Sequence, residues 1–275
     1  MKRFITLFFA VAFAFSAFAQ NKTAIEVLGH RGGLLEAEEN TMIAFETAYS
    51  KGVRSFETDV RMTADNELII SHDDSLVRTC GLDVNVENTM SETLVTYTTL
   101  KGNPILFVED LTIFFGQRKI NYIEWEMKSN NYSYEQLKLY CDKLYHTVMP
   151  SKPKKAIYVF SSFDERAIEM MKTLHPDAEC MFISNTPMNE QLVRKAQSLG
   201  VKRVGARLTT TTRKDMENAH KHGLIVNLWP GKSVEDFLLA VALGSDIACT
   251  DLPQEVVKFG KKYLKWVKLQ NKDLK

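Results

Sequence analysis

Between Ile25 and Thr250 the chain alternates short apolar runs with helical patterns. The runs fall at 25–30, 55–60, 121–127, 156–161, 179–184, 202–206, 224–229 and 247–250. Stretches with apolar residues at helical spacing lie between most of them: Thr41–Ser50, Tyr134–Tyr145, Asp164–Leu174, Asn189–Leu199, Thr212–His222 and Val234–Leu243. Strands separated by whole helices pair in parallel, because the connection must cross back over the sheet. Eight such units in 275 residues match the size of one (β/α)8 TIM barrel, typically about 250 residues. A doubly wound open sheet is the alternative, since alternation alone does not close a barrel. No Gly-x-Gly-x-x-Gly follows the first run, which counts against a dinucleotide-binding version of that sheet.

One segment breaks the rhythm. Leu68-Ile69-Ile70-Ser71 follows the second run after only Ala64-Asp65-Asn66-Glu67. That gap is too short for a parallel crossover, so an antiparallel hairpin is expected at the C-terminal rim. A turn near Asp65-Asn66 would set Asp59 opposite His72. The stretch from about Ser75 to Lys119, with a helical pattern at Val108–Phe115, reads as a small insertion on the barrel mouth.

Charge then falls where a barrel interior should be apolar. Residues two apart in a strand share a face, so Glu57 and Asp59 point the same way, as do Glu124, Glu126 and Lys128. Inward charges are costly unless paired or metal-bound. One divalent cation held by Glu57, Asp59 and Glu126, with Lys128 near a phosphate, accounts for the pattern, with surface salt bridges at strand ends as the alternative. Three carboxylates without thiolates favour Ca2+ or Mg2+. His30 and His72 end predicted strands, and imidazoles transfer protons near neutral pH. Arg31 is suited to grip a phosphate. Trp229, ending Val226-Asn227-Leu228-Trp229, either stacks on a substrate or caps the core. His146, His175, His220 and His222 fall in or at the ends of helices and receive no role.

The remaining features set the context. Lys2 and Arg3 precede the apolar run Phe4–Phe15, and Ala17-Phe18-Ala19 offers a small-x-small cleavage site before Gln20. This is the pattern of a secretory signal peptide over residues 1–19. It predicts an exported, periplasmic or secreted barrel over 20–275 with no stable membrane span after cleavage. The formal net charge of +1 gives no broad nucleic-acid surface. Cys80, Cys141, Cys180 and Cys249 show no metal-binding spacing. Cys180 and Cys249 lie in apolar, strand-like runs and read as buried thiols.

These blocks, in order, resemble the glycerophosphodiester phosphodiesterase family. His30-Arg31-Gly32 is followed by Glu39-Asn40-Thr41, Glu57-Thr58-Asp59-Val60, Thr63-Ala64-Asp65, His72-Asp73, Arg78-Thr79 and Glu126-Met127-Lys128. Ser162-Phe163-Asp164 with Pro176, then Trp229, then Thr250-Asp251-Leu252-Pro253 complete the set. The resemblance implies a (β/α)8 barrel that hydrolyses glycerophosphodiesters to glycerol 3-phosphate and an alcohol with one divalent cation. It makes His30 and His72 the general acid and base, in an order the sequence leaves open. It makes Glu57, Asp59 and Glu126 metal ligands and Arg31 and Lys128 phosphate contacts. Glu38 stands where the family has Pro, an expected loosening of that turn. Asn66 stands where it has Gly. Pro230-Gly231-Lys232 departs from the family's pattern beside Trp229, where Lys232 is expected to face the alcohol side of the substrate. Two other functions remain open. One is a phospholipase D-like enzyme of the sphingomyelinase-D type acting on intact lipid, with an apolar mouth built from Ile105-Leu106-Phe107 and Phe114-Phe115. The other is a non-catalytic phosphate- or glycan-binding barrel.

Overall fold

A computed structural model describes residues 23–270; the expected leader over 1–19 lies outside them. Eight parallel strands close on themselves: β2 (Glu26–His30), β3 (Ser55–Met62), β5 (Tyr122–Met127), β6 (Ile157–Ser162), β7 (Glu179–Pro187), β8 (Arg203–Arg207), β9 (Ile225–Gly231) and β10 (Ile247–Thr250). Strand β10 pairs with β2, and β2 with β3, which closes the ring and excludes the open sheet. One helix follows each barrel strand: α1 (Met42–Ser50), α4 (Val108–Gly116), α5 (Tyr134–Val148), α6 (Glu165–Leu174), α7 (Glu190–Ser198), α8 (Arg213–Lys221), α9 (Val234–Leu243) and α10 (Pro253–Tyr263). The short strands β1 (Thr23–Ala24) and β11 (Val267–Lys268) pair beside the barrel. Among the described residues no helix is long and apolar enough to cross a membrane.

Local chemistry explains the helix starts. Thr41, Ser133, Asp164, Asn189, Thr212 and Ser233 each cap a helix with a side-chain oxygen that accepts a backbone N–H. Such a cap is worth about 1 kcal/mol. The sequence reading began several of these helices on the cap itself, one residue early.

Strand alternation sorts the residues into two cores. Outward-facing Phe56 meets Phe45 of α1 and Phe115 of α4 at ring separations of 5.7 and 5.5 Å. Trp125 packs edge-on against Phe115 at 6.0 Å and Tyr158 at 5.8 Å. Inward-facing Leu28, Tyr122, Val159, Met181, Ile183, Ile247 and Cys249 fill the barrel below the carboxylates. Cys141, Cys180 and Cys249 are buried and Cys80 half-buried; burial pushes the Cys180 thiol up to about 12.

Strand β4 (Leu68–Ile70) runs antiparallel to β3, as the short connection required. The register differs by one residue from the expected one. Val60 faces Ile70, and the Ser71 N–H donates to the Asp59 carbonyl, so Ser71 and not His72 opposes Asp59. The Thr63 N–H to Glu67 carbonyl bond closes the turn, which centres on Asp65. Asn66 takes the left-handed φ of 66° that the family's Gly would supply. Asp65 then accepts bonds from Thr63, the Ser91 N–H and the Ser91 hydroxyl, pinning the hairpin tip to α3 (Ser91–Leu94).

The insertion carries its own small core of Ile69, Leu76, Val86 and Leu94, with Ile105 and Phe107 packed against it. Leu106 and Phe115 are also buried. The segment expected to offer a lipid-facing mouth is therefore mostly consumed by packing. Glu38 does not loosen its turn. It accepts bonds from Thr99, Asn103 and the Lys101 N–H, tying the insertion to the loop after β2.

The aromatic wall between α1, α4 and the barrel makes a stability prediction. Phe115→Ala should cost about 3–5 kcal/mol, as for other fully buried Phe deletions. Chemical denaturation reads this directly. A loss under about 1 kcal/mol would mean that the wall does not hold α4 to the barrel.

Candidate active site

The cavity at the C-terminal rim has a volume of about 400 Å³. Its polar wall comes from β2, β3 and β5 and its far wall from Phe163, Ile183, Asn185 and Trp229. In the strand register His30 lies beside Glu57, Glu57 beside Glu124, and Asp59 beside Glu126. Sequence parity alone thus carried the carboxylates of two strands to one mouth.

Glu57, Asp59 and Glu126 are all buried and present carboxylate oxygens within 4.8 Å of one another. Burial, together with Asp59 and Glu126, holds the Glu57 carboxyl well above its usual range. Burial also disfavours the Asp59 anion, but Lys128 and Arg31 outweigh it and hold that carboxyl well below its usual range. Lys128 Nζ lies 3.0 Å from Asp59 Oδ1 and bonds Glu126, and Arg31 Nε lies 3.2 Å from Asp59 Oδ2. Asn40 Nδ2 donates to Asp59 Oδ2 at 2.8 Å. Glu57 Oε1 is buried without a hydrogen bond, and Asp59 Oδ1 meets only the Lys128 ammonium. An all-oxygen cluster with an orphaned acceptor at Glu57 and that carboxyl held against ionisation fits a hard divalent cation. Glu124 sits one layer deeper. Its carboxyl is pushed up to about 8 by burial and by Glu126, against the hydrogen bond donated by Asn227.

The two histidines share one arrangement. His30 Nδ1 lies 2.5 Å from Asp251 Oδ1, and His72 Nδ1 lies 2.6 Å from Asp73 Oδ1. An ionised carboxylate only accepts, so each Nδ1 carries the proton and each Nε2 is left for the cavity that both rings line. Asp251 stood in a sequence block without an assigned role, 221 residues from His30. The β2–β10 pairing brings it there.

Arg31 reaches its position through a left-handed φ of 54°, which turns its N–H onto Glu57 Oε2 at 3.0 Å. Gly32 follows with φ 83°; a Cβ there would stand 2.9 Å from the Ala44 Cβ, so helix α1 leaves room for Gly only. Arg31 and Lys128, expected as phosphate contacts, both line the cavity while engaged with carboxylates.

Arg61 was missed in the sequence. Its guanidinium clamps the His72 carbonyl at 2.8 and 3.1 Å and pairs with Glu87 at 2.6 Å. Trp229 stands where the cavity meets the barrel core. It lines the cavity and packs on the inner core, edge-on to Phe163 at 5.6 Å, with the Arg207 guanidinium 5.1 Å from its ring. Lys232 is exposed, its N–H donates to Asp236, and its side chain lies outside the cavity lining. The expected alcohol-side role for Lys232 therefore has no geometric support.

Residues 30–255 match the Glycerophosphoryl diester phosphodiesterase family. A Homo sapiens lysophospholipase D is 41% identical over 61 residues, which cover 22% of this chain and only 19% of that relative. A Bacillus altitudinis glycerophosphodiester phosphodiesterase is 24% identical over 246 residues, covering 85% of this chain and 97% of that protein. Among solved structures, an Oleispira antarctica phosphodiesterase in complex with the product sn-glycerol-3-phosphate superposes with a TM-score of 0.78 at 19% identity, over 85% of this chain and 95% of that one. With its closed barrel and ordered motif blocks, the chain belongs to the glycerophosphoryl diester phosphodiesterase family.

Proposed function

We propose that this protein is an exported, metal-dependent phosphodiesterase that hydrolyses glycerophosphodiesters to glycerol 3-phosphate and an alcohol. The observation that carries the reading is the pair of carboxylate-oriented imidazoles, His30 and His72, facing one cavity with the Glu57–Asp59–Glu126 cluster. The Oleispira antarctica relative solved with sn-glycerol-3-phosphate supports the product assignment. None of the candidate site residues is missing, which disfavours a non-catalytic barrel.

In this reading Glu57, Asp59 and Glu126 hold one Ca2+ or Mg2+. Such a cation supplies Lewis-acid polarisation of the phosphoryl group. Arg31 and Lys128, already at the cavity wall, supply positive charge for the phosphate oxygens. One histidine, its Nε2 free, takes the proton of the neighbouring glycerol hydroxyl as that oxygen attacks phosphorus. The other, carrying protons on both nitrogens, gives one to the departing alcohol, and water then opens the cyclic phosphate, each proton transfer being worth about 10²–10⁴-fold. Asp251 and Asp73 fix the rings in the required tautomer. Phe163 and Trp229 form the wall against the rest of the substrate. Export rests on the leader pattern ending at Ala19, and the mature N-terminus is expected at Gln20.

Chelation should abolish hydrolysis of glycerophosphocholine, and Glu126→Gln should weaken metal binding. Full turnover by metal-free Glu126→Gln protein would overturn the cation assignment. His30→Ala and His72→Ala should each lower kcat by at least about 10²-fold with the fold intact, the scale of a lost proton-transfer group. A near-wild-type rate in either variant removes that residue from the mechanism.

His72 also makes a pH prediction. Burial, with Lys128 and Arg31 nearby, lowers its pKa below 6.5, while Asp59 and the bond to Asp73 pull it upward. The imidazole is therefore neutral at neutral pH. The folded chain binds this proton less readily than the unfolded chain, so the contribution of His72 to stability falls as pH drops below 6.5. Asp73→Asn removes an upward pull, so the pKa should fall further. NMR titration of the His72 ring measures both values; a rise in the variant would refute the proposed role of Asp73.

A further inference from the structure

Far from the cavity, three side chains without a sequence-assigned role meet on the outside of the barrel. Asp142 and His146 are one turn apart on α5, and His175 caps the C-terminus of α6. Both helices start at the catalytic rim and run away from it. The cluster therefore sits toward the N-terminal face, where barrel residues serve stability rather than chemistry. His146 Nδ1 lies 3.4 Å and His175 Nε2 3.2 Å from the same oxygen, Asp142 Oδ1. All three ligand atoms lie within 4.8 Å of one another.

We propose that Asp142, His146 and His175 form a second, structural site for a late first-row divalent ion such as Zn2+, one that clamps α5 to the end of α6. The spacing is the first reason. Ligands at about 2.0–2.1 Å in a tetrahedron stand about 3.3–3.4 Å apart, close to the 3.4 and 3.2 Å that separate the two imidazole nitrogens from the shared oxygen. The second reason is His175. It is 8% exposed, and its Nε2 makes no hydrogen bond despite its closeness to Asp142. A buried nitrogen that faces a carboxylate at poor hydrogen-bond angle is suited to share an ion with it. The third is preorganisation. The His175 ring stacks on Tyr145 at 3.8 Å with an interplanar angle of 2°, and the His146 ring stands edge-on to it at 5.1 Å. The Tyr145 hydroxyl in turn donates to Asp177 at 2.7 Å, fixing the loop that carries His175.

The donor set of two imidazoles and one carboxylate selects zinc-like ions over the Ca2+ or Mg2+ of the all-oxygen cluster. Asp142 and His146 are exposed, which leaves an entry path and a coordination position for water. His146 Nδ1 is 2.9 Å from the Asp142 carbonyl. When the ion binds, the imidazole changes tautomer through solvent: Nε2 takes up a proton as Nδ1 loses the one in that contact, and the Nδ1 lone pair goes to the metal.

The test is made on the purified protein in excess Mg2+, so that the catalytic cluster is occupied. Zn2+ followed by calorimetry and thermal denaturation should bind at one further site and raise Tm. His146→Gln and Asp142→Asn, both at exposed positions, should each weaken Zn2+ binding by at least about tenfold. Loss of an outer-shell partner alone costs 10–100-fold. Both variants should lose the rise in Tm, with glycerophosphodiester turnover unchanged. His175→Gln should do the same where it folds. Independently, Zn2+ should shift the imidazole NMR signals of His146 and His175 in the unaltered protein. Undiminished Zn2+ affinity in His146→Gln and Asp142→Asn, or shifts confined to His30 and His72, would overturn the proposal.

Discussion

Four carboxylates buried on two adjacent strands are the constraint around which the rest of the barrel mouth is arranged. Glu57 and Asp59 on β3 and Glu124 and Glu126 on β5 are each less than a tenth exposed. Unpaired, such groups would cost several kcal/mol each. Their neighbours are accordingly compensating ones. Lys128 bridges Asp59 and Glu126, Arg31 meets Asp59, Asn40 donates to Asp59, and Asn227 donates to Glu124 from across the barrel. The compensation is incomplete at Glu57, whose carboxyl stays above its usual range. An excess of buried acid over buried base marks a place built for a further positive charge.

The same constraint reaches the insertion through a chain of ion pairs. Arg31 bonds Glu39 at 3.0 Å, and Arg78 bonds both Glu39 and Asp73 at 2.5–2.8 Å. Asp73 holds His72. One path of alternating charges thus runs from Asp59 to the second imidazole, through the short helix α2 (Val77–Cys80) of the insertion. Arg78 is half-exposed, so each of its links is weak in isolation. Their value is geometric, since the chain fixes where the His72 ring stands relative to the carboxylates.

Much of this was legible in the sequence because strand parity is a strong rule. Once Glu57 and Asp59 lie on one strand, they must share a face, and the same holds for Glu124, Glu126 and Lys128. Contacts that depend on the closing of the barrel were not legible in that way. Asp251 is placed beside His30 only by the pairing of the last strand with the first. The hairpin register was missed by one residue because Thr63 and Glu67 close the turn on Asp65, and a turn centred on a residue differs by one from a turn centred on a bond. Arg61 reads as a surface residue of a strand end, and only the fold shows its guanidinium on the His72 backbone. His146 and His175 lie in separate helical segments with no shared motif, so only helix packing brings them together.

The two halves of the cavity explain why its charged wall reads clearly from the sequence and its apolar wall does not. On β2, β3 and β5 the wall consists of carboxylates, cations and imidazoles, most of them paired with one another, and exchange of a paired member leaves its partner uncompensated. That side tolerates little change, and its motif blocks are intact. The opposite wall is built from Phe163, Ile183, Asn185, Trp229 and Cys249. Its members are held by packing and by ring contacts, such as Phe163 on Trp229 at 5.6 Å, and packing accepts substitutions of similar volume at modest cost. The departure at Pro230-Gly231-Lys232 lies beside that wall and disturbs no buried charge. The polar groups on that side include Asn130 and Asn185. The buried carboxylates and the cations that pair with them are concentrated on the first three barrel strands.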